Sequence, residues 1–319
     1  MAREPIEESA AEGRQPKSLA REAGEGGTAS GASGGVRELA RERLPLSVVV
    51  TTFNNAATLE QCLASVAWAD DLVVLDSGST DATVEIATKY NARLFTEPFR
   101  DYAPQKQSAI DKAAHSWVLL LDADECLTEA ARAPIERALA NPSASGFRLP
   151  RREQMFWTFQ HESSWTNAHL RLFDRRRGRM NAVPVHAAPE VDGPVQTLGD
   201  AILLHYGEPD IRTKVDKINA YSSGLVADKL RRRQRFLGVR MLFYPPVFFL
   251  RQYIGKRYFL NGWAGFISAA TGAFYVFLKY AKVYEARRRG SAEVEVDLEK
   301  APPSALRAPS PASQGKEQK

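Results

Sequence analysis

Apolar and polar positions alternate in a regular rhythm between residues 46 and 140. Leu46 to Phe53 is an apolar, β-branched run that stops at Asn54-Asn55, the pattern of a buried strand. Behind Thr58, which can cap a helix, Leu59, Cys62, Leu63 and Val66 recur at helical spacing to about Trp68. Leu72 to Leu75 reads as a second strand, and Asp81 to Tyr90 as a helix whose acidic first turn suits the positive end of the helix dipole. Ala92 to Phe95 is a third strand, Gln105 to Ala114 a third helix and Trp117 to Leu121 a fourth strand; Glu129 to Ala140 is a helix broken by Asn141-Pro142. This alternation predicts an α/β fold with a Rossmann-like, mostly parallel sheet, right-handed crossovers and flanking helices.

After Gly146 the rhythm changes. Phe147 to Trp157 suits a strand, and the aromatic, His-rich stretch to Phe173 reads as loop with short strands. Ile211 to Leu230 is amphipathic and helical, and Phe236 to Tyr284 is rich in aromatic residues. Within it Trp263 to Tyr280 would be about 27 Å long as a helix, which only borders on the thickness of a bilayer. Pro245-Pro246 is expected to interrupt the run from Met241 to Leu250. Lys256, Arg257, Lys279 and Lys282, interleaved with Tyr and Trp, read as an interfacial anchor; the alternative is helices that merely cover the α/β domain.

Composition sharpens the boundaries. Residues 1–43 and 291–319 are poor in the large apolar residues needed to offset chain entropy, so both are expected to be disordered tails. The expected organisation is therefore a domain over residues 44–210, a helical, membrane-associating region over 211–290, and the two tails. No apolar h-region opens the chain, so a signal peptide is not expected. The net charge of +5 is concentrated at Arg151-Arg152, Arg175-Arg176-Arg177, Arg231-Arg232-Arg233 and Arg287-Arg288-Arg289. Most of these clusters sit beside apolar stretches and none within a nucleic-acid-binding motif, which favours an anionic membrane surface and excludes nucleic acid as the partner. Cys62 and Cys126 have no metal-site or disulfide spacing and read as packed small hydrophobes in a reducing compartment.

The chemistry lies where the apolar strands end in acid. Leu72-Val73-Val74-Leu75-Asp76-Ser77-Gly78-Ser79-Thr80-Asp81 and Trp117-Val118-Leu119-Leu120-Leu121-Asp122-Ala123-Asp124 bring Asp76, Asp122 and Asp124 to the crevice at the carboxyl ends of neighbouring strands. An extended D-x-D segment sets Asp122 and Asp124 on one side, and hard cations take oxygen ligands, so a divalent metal holding a diphosphate is expected there. No G-x-G-x-x-G follows the first strand, which disfavours a nicotinamide-binding dehydrogenase.

The order Thr51 to Asn55, Asp76 to Asp81, Lys106, and Asp122-Ala123-Asp124-Glu125 resembles glycosyltransferase family 2, the nucleotide-sugar enzymes of the GT-A fold. The likeness is greatest to bacterial lipopolysaccharide-core glucosyltransferases. It is carried also by Gln105-Lys106-Gln107, Leu170-Arg171-Leu172-Phe173, Leu204-His205-Tyr206 and Phe277-Leu278-Lys279-Tyr280-Ala281-Lys282. The resemblance implies that Thr51, Asn54, Asp76, Ser77, Lys106 and Asp122 bind the nucleotide-diphospho-sugar, and that Asp124, with His186 as a further candidate, holds Mg2+ or Mn2+. It also implies an inverting transfer to a lipopolysaccharide-core or other lipid-linked acceptor at the cytoplasmic face of a bacterial inner membrane. The Q-x-x-R-W element of processive synthases is absent.

The departures concern the catalytic base, a carboxylate that takes the acceptor proton in an inverting transfer. The resemblance places acids at two positions that are here Asn167 and Ala187. Glu162, Glu125 and Glu190 remain as candidate bases, and His161, His169, His186 and His205 as possible bases or ligands. Gln107 stands where Asn is usual and Asn55 where Glu is frequent. Asn167 and Ala187 also raise the alternative of a non-catalytic nucleotide-sugar-binding or scaffold protein at the membrane.

Overall fold

The computed structural model describes residues 44–181, 187–232 and 236–289. The two tails therefore lie outside the described residues, as do His186 and Arg233. The first four strands are β1 (Leu46–Thr52), β2 (Asp71–Asp76), β3 (Arg93–Thr96) and β4 (Trp117–Asp122). They pair in parallel in the order β3-β2-β1-β4, joined by helices α1 (Ala56–Ser65), α2 (Thr83–Lys89) and α3 (Tyr102–Asp111). Val48, Val50, Val74, Leu119 and Leu121 pack on one face with Leu59 and Leu63 of α1. Val49, Val73, Leu75, Val118 and Leu120 pack on the other with Ala109 and Ile110 of α3. Both faces are covered, which is why these strands are continuous apolar runs rather than alternating ones.

Beyond β4 the chain turns at Ala123-Asp124 into β5 (Glu125–Leu127), then runs through α4 (Arg132–Ala140) and β6 (Gly146–Met155). Short strands follow: β7 (Thr158–Phe159), β8 (Asn167–Asp174), β9 (Gly178–Met180), β10 (Pro189–Val191), β11 (Val195–Thr197) and β12 (Leu203–His205). β8 lies antiparallel beside β4 and extends the sheet through β6, β12 and β5. The sheet is thus parallel across its first half and mixed across its second.

The chain continues in α5 (Ile211–Gly224), α6 (Val226–Arg231), α7 (Leu237–Leu250) and α8 (Gly262–Arg289), with a π turn and a 3₁₀ turn between the last two. Tyr275, Val276, Tyr280 and Val283 of α8 form a core with Ile218, Val226 and Leu237. Gly265 lets α8 start against the preceding turn, because a Cβ there would lie 1.8 Å from the Tyr258 carbonyl oxygen. No helix among the described residues is long and apolar enough to cross a membrane.

Three sequence expectations need correction. Helix α1 begins at Ala56, not behind Thr58: the Asn55 carbonyl accepts from the Thr58 and Leu59 amides, and the Thr58 hydroxyl is buried without a partner. Helix α3 starts at Tyr102 instead of Gln105, where the Asp101 carboxylate accepts from the Tyr102 amide. Pro245-Pro246 does not break α7. Interior proline costs about 3 kcal/mol, and packing of α7 along α8, with Phe248 against Gly272, holds the helix through it.

Candidate active site

Parallel strands deliver their carboxyl ends to one edge, and the acids at those ends have different surroundings. In β1, Thr51 lies opposite Leu75 and Asp122, and Thr52 opposite Asp76. Asp76 is buried and organises its own loop: Oδ2 accepts from the Gly78 and Ser79 amides at 2.9 and 2.8 Å, and the Ser79 hydroxyl bonds Oδ1. Gly78 has φ +91°, a conformation that favours glycine. Asn54 closes the same crevice. Its amide donates to Ser79 Oγ and its side-chain oxygen accepts from the Thr80 amide, each at 2.8 Å. The Ser77 hydroxyl accepts from Gln105 Nε2 at 3.2 Å, tying this loop to α3.

Asp122 and Asp124 do not share one extended segment, as the D-x-D spacing predicts. The turn at Ala123-Asp124 sends them to different partners. Lys106, buried on α3, pairs with Asp122 Oδ1, and Arg171 Nη2 meets Oδ2 at 2.9 Å. Arg171 also meets Glu125 Oε1 at 2.6 Å, and Arg151 Nη1 reaches that oxygen at 3.0 Å. Arg151 bonds Glu153 at 2.9 Å; Glu153 meets His205 Nδ1 at 2.5 Å, and His205 Nε2 lies 3.2 Å from Asp124. Lys106, Asp122, Arg171, Glu125, Arg151, Glu153, His205 and Asp124 therefore form one continuous file of alternating charge across α3, β4, β8, β5, β6 and β12.

Electrostatics follow from that file. Burial pushes the Asp122 carboxyl up, but Lys106 and Arg171 outweigh it and hold Asp122 well below the usual carboxylate range. Glu125 and Glu153 are likewise pulled down against burial, by Arg171 and Arg151 and by His205 and Arg151. Burial works against a charged His205, yet the hydrogen bonds and charges of Asp124 and Glu153 raise it to about 10. One carboxylate at each ring nitrogen, Glu153 at Nδ1 and Asp124 at Nε2, favours the charged imidazolium. His169 is driven to about 3 by burial and by the Arg151 and Arg171 charges, and its Nε2 is buried without a partner.

The remaining candidates are scattered. The Glu125 side chain has 0 % exposure and is enclosed by two arginines, so it cannot meet an acceptor without breaking both pairs. Glu190 is exposed on β10, opposite Arg179 of β9. Glu162 is exposed in the loop between β7 and β8. Asn167 opens β8 opposite Arg151, and Ala187 packs on the core beneath α3. The His161 ring accepts from the Ser163 amide. Sequence reasoning missed Glu153 and the inward turn of Arg151. Arg151 is not surface charge but part of the file, while Arg176 and Arg177 stay exposed, with Arg175, Arg176 and Arg177 bonded to the His115 carbonyl, Asp174 and Ser145. The available signal was charge inside apolar strands, Arg171 between Leu170 and Leu172 above all.

A hard cation finds a partial donor set. Asp124 offers a carboxylate on a side chain 32 % exposed, and among the described residues no group of three or more His, Cys, Asp or Glu is placed to hold a metal. A cation there would need further oxygens from a diphosphate.

A buried file of this kind at the ends of parallel strands, beside an Asp-Ser-Gly-Ser loop, belongs to a class that comparison identifies. Residues 47–189 match the model for glycosyl transferase family 2. The lipopolysaccharide core biosynthesis glycosyltransferase LpsC of Rhizobium meliloti (strain 1021) is 33% identical over 76% of this chain and 93% of its own length. An uncharacterized glycosyltransferase of Rickettsia felis is 28% identical over 75% of this chain and 89% of its own. The chain belongs to glycosyltransferase family 2 and is a glycosyltransferase with the GT-A-like α/β fold. A mannosyltransferase structure from Pyrobaculum calidifontis is 17% identical, covering 82% of this chain and 80% of that one at a TM-score of 0.41.

The His205 clamp makes a pH prediction. With about 10 folded against about 6.5 unfolded, its stabilisation is complete below about 6.5 and is lost as pH rises from there through about 10. Denaturant titrations from pH 6 to pH 10 should show wild-type stability falling more steeply than that of His205→Gln. Parallel curves would refute the clamp.

Proposed function

We propose that the protein moves a sugar from a nucleotide-diphospho-sugar to a lipopolysaccharide-core or other lipid-linked glycan, with inversion, at the cytoplasmic face of a bacterial inner membrane. The observation that carries the reading is the acidic strand-end crevice, with Lys106 set on Asp122 beside the Asp76 loop. Family membership places transfer ahead of a non-catalytic scaffold, and the similarity to LpsC supports the choice of acceptor. In this reading Thr51, Asn54, Asp76 and Ser77 hold the base and ribose, Lys106 and Asp122 the ribose and diphosphate, and residues 211–290 rest on anionic lipid.

The transfer forms a bond from the acceptor oxygen to the anomeric carbon and breaks the bond from that carbon to the diphosphate. A carboxylate takes the acceptor proton, and the nucleoside diphosphate leaves. Glu162 is the proposed base, since it is exposed in the loop between β7 and β8 while Glu125 is locked in the interior. Four carboxylates (Asp122, Asp124, Glu125 and Glu153) balance four cations (Lys106, Arg151, Arg171 and His205) in the file. An arriving diphosphate thus adds charge without a surplus cation in the file to meet it. Asp124 would hold Mg2+ or Mn2+, which supplies the charge to stabilise the departing diphosphate.

Turnover of a panel of nucleotide sugars, read as released nucleoside diphosphate with a core-oligosaccharide acceptor, should single out one donor; no release from any would contradict transfer. By calorimetry Asp124→Ala should lose most metal-stimulated binding of that nucleoside diphosphate, and equal affinity with metal would reject Asp124 as the ligand.

Loss of a general base costs about 10²- to 10⁴-fold in rate. Glu162→Gln should slow turnover that far at nearly unchanged nucleotide affinity. An equally fast variant would pass the assignment to Glu190.

A further inference from the structure

We infer that the turn and loop at residues 156–165 and the turns at residues 251–261 form one surface that docks on an anionic bilayer, so that lipid meets the protein at the acceptor side of the crevice. The inference rests on the membrane reading above, which concerned residues 211–290, and extends it to the loop at 156–165 of the α/β domain.

The two segments are joined by backbone and side-chain bonds. The Trp165 amide donates to the Lys256 carbonyl at 3.3 Å, the Ser164 hydroxyl to the Arg257 carbonyl at 3.3 Å, and the His161 amide to Asn261 Oδ1 at 3.0 Å. Asn261 Nδ2 donates in return to the Phe159 carbonyl at 2.8 Å. Beneath them Met155, Phe156, Tyr258, Ala264 and Ala269 form a shared core with Phe249 and Tyr253 against it. This core consumes the inward apolar side chains, so the large ones left exposed face out. They are Trp157 (69%), Trp165 (70%), Ile254 (60%), Phe259 (46%), Leu260 (38%) and Trp263 (76%).

Exposed indoles held on ordered backbone are costly unless something covers them. The charge around them says what does. Arg251, Lys256 and Arg257 lie in the same turns, against Glu162 as the acid of the loop, leaving an excess of two cations. Indoles with lysine and arginine at one level suit the headgroup boundary of anionic lipid. A neighbouring stripe on α7, Val239, Phe243, Val247 and Leu250, repeats at helical spacing and is exposed throughout.

The surface also borders the crevice. Phe159 meets the Tyr206 ring edge-on at 4.9 Å, and the Tyr206 amide donates to the Asp124 carbonyl at 2.8 Å. Glu162 sits between the two exposed tryptophans in sequence. A lipid-borne acceptor would therefore meet the site without leaving the membrane plane.

The test floats the full-length protein with phosphatidylglycerol-containing vesicles at low salt. An indole that buries part of its surface in lipid contributes about tenfold in partitioning, so Trp157→Ser/Trp165→Ser should bind at least tenfold more weakly, with melting temperature and nucleotide affinity unchanged. Brominated lipid should quench wild-type tryptophan fluorescence, and Trp157→Phe/Trp165→Phe should lose part of that quenching. This second readout decides the matter if the Ser variant melts early. A wild type that ignores the vesicles overturns both the membrane reading and this inference. A wild type that binds, with unchanged binding by the Ser variant and unchanged quenching in the Phe variant, overturns the inference alone. Unchanged vesicle binding with weaker binding of a soluble core oligosaccharide overturns it too, and makes the indoles a glycan platform.

Discussion

Arg171 cannot leave the interior, and the site is arranged around that constraint. Its guanidinium lies on β8, 8 % exposed at the side chain, and meets Glu125 and Asp122. A buried charge is tolerated only when paired, and removing one partner typically costs about 3–5 kcal/mol. The pairing fixes where β8 lies against β4 and requires the chain to turn at Ala123-Asp124 so that Glu125 can point inward. That turn presents Asp124 at the rim. The parallel half of the sheet thus ends in a crevice whose far wall is built by the mixed half.

The same file distributes roles among acids that look alike in sequence. Asp122, Glu125, Glu153 and Asp124 have different partners; the side chains of Asp122 and Asp124 are near one-third exposed, that of Glu153 about a quarter, and that of Glu125 not at all. Glu125 is interior and holds arginines. Glu153 acts on the rim at one remove, by fixing the imidazolium that orients Asp124. The charge supply for a diphosphate is therefore balanced rather than positive, which gives a divalent cation a physical purpose in the proposed reaction.

The first half of the fold was legible because β1, β2 and β4 are buried on both faces and register as unbroken apolar runs. The ends of elements were less so. Thr58 has the right chemistry for a cap, but the backbone carbonyl of Asn55 had already begun the helix. Pro245-Pro246 read as a break because local sequence cannot register how much packing α8 returns to α7. At the site, the acids of the crevice were visible at strand ends, whereas the file was not. It joins residues far apart in sequence, such as Lys106 and Asp122, Arg171 and Glu125, and Glu153 and His205. Arg151 read as surface charge for the same reason: its partners, Glu125 and Glu153, identify it as interior only once β5, β6 and β12 are brought together. A buried cation is announced in sequence only by its apolar neighbours, as at Leu170-Arg171-Leu172.

The central claim is that the Arg171–Glu125 pair is one interdependent unit that shapes the crevice, and a double-mutant cycle measures it most directly. Stability of wild type, Arg171→Met, Glu125→Leu and the double variant would be taken from denaturant titrations at one pH. Each single variant takes one of two partners from a buried charge, leaving Glu125 with Arg151 or Arg171 with Asp122, so the account predicts losses of up to about 3–5 kcal/mol apiece. The double variant should be less destabilised than the two losses summed, by at least about 2 kcal/mol. Losses that simply add would mean that the two side chains act independently, and would contradict the account.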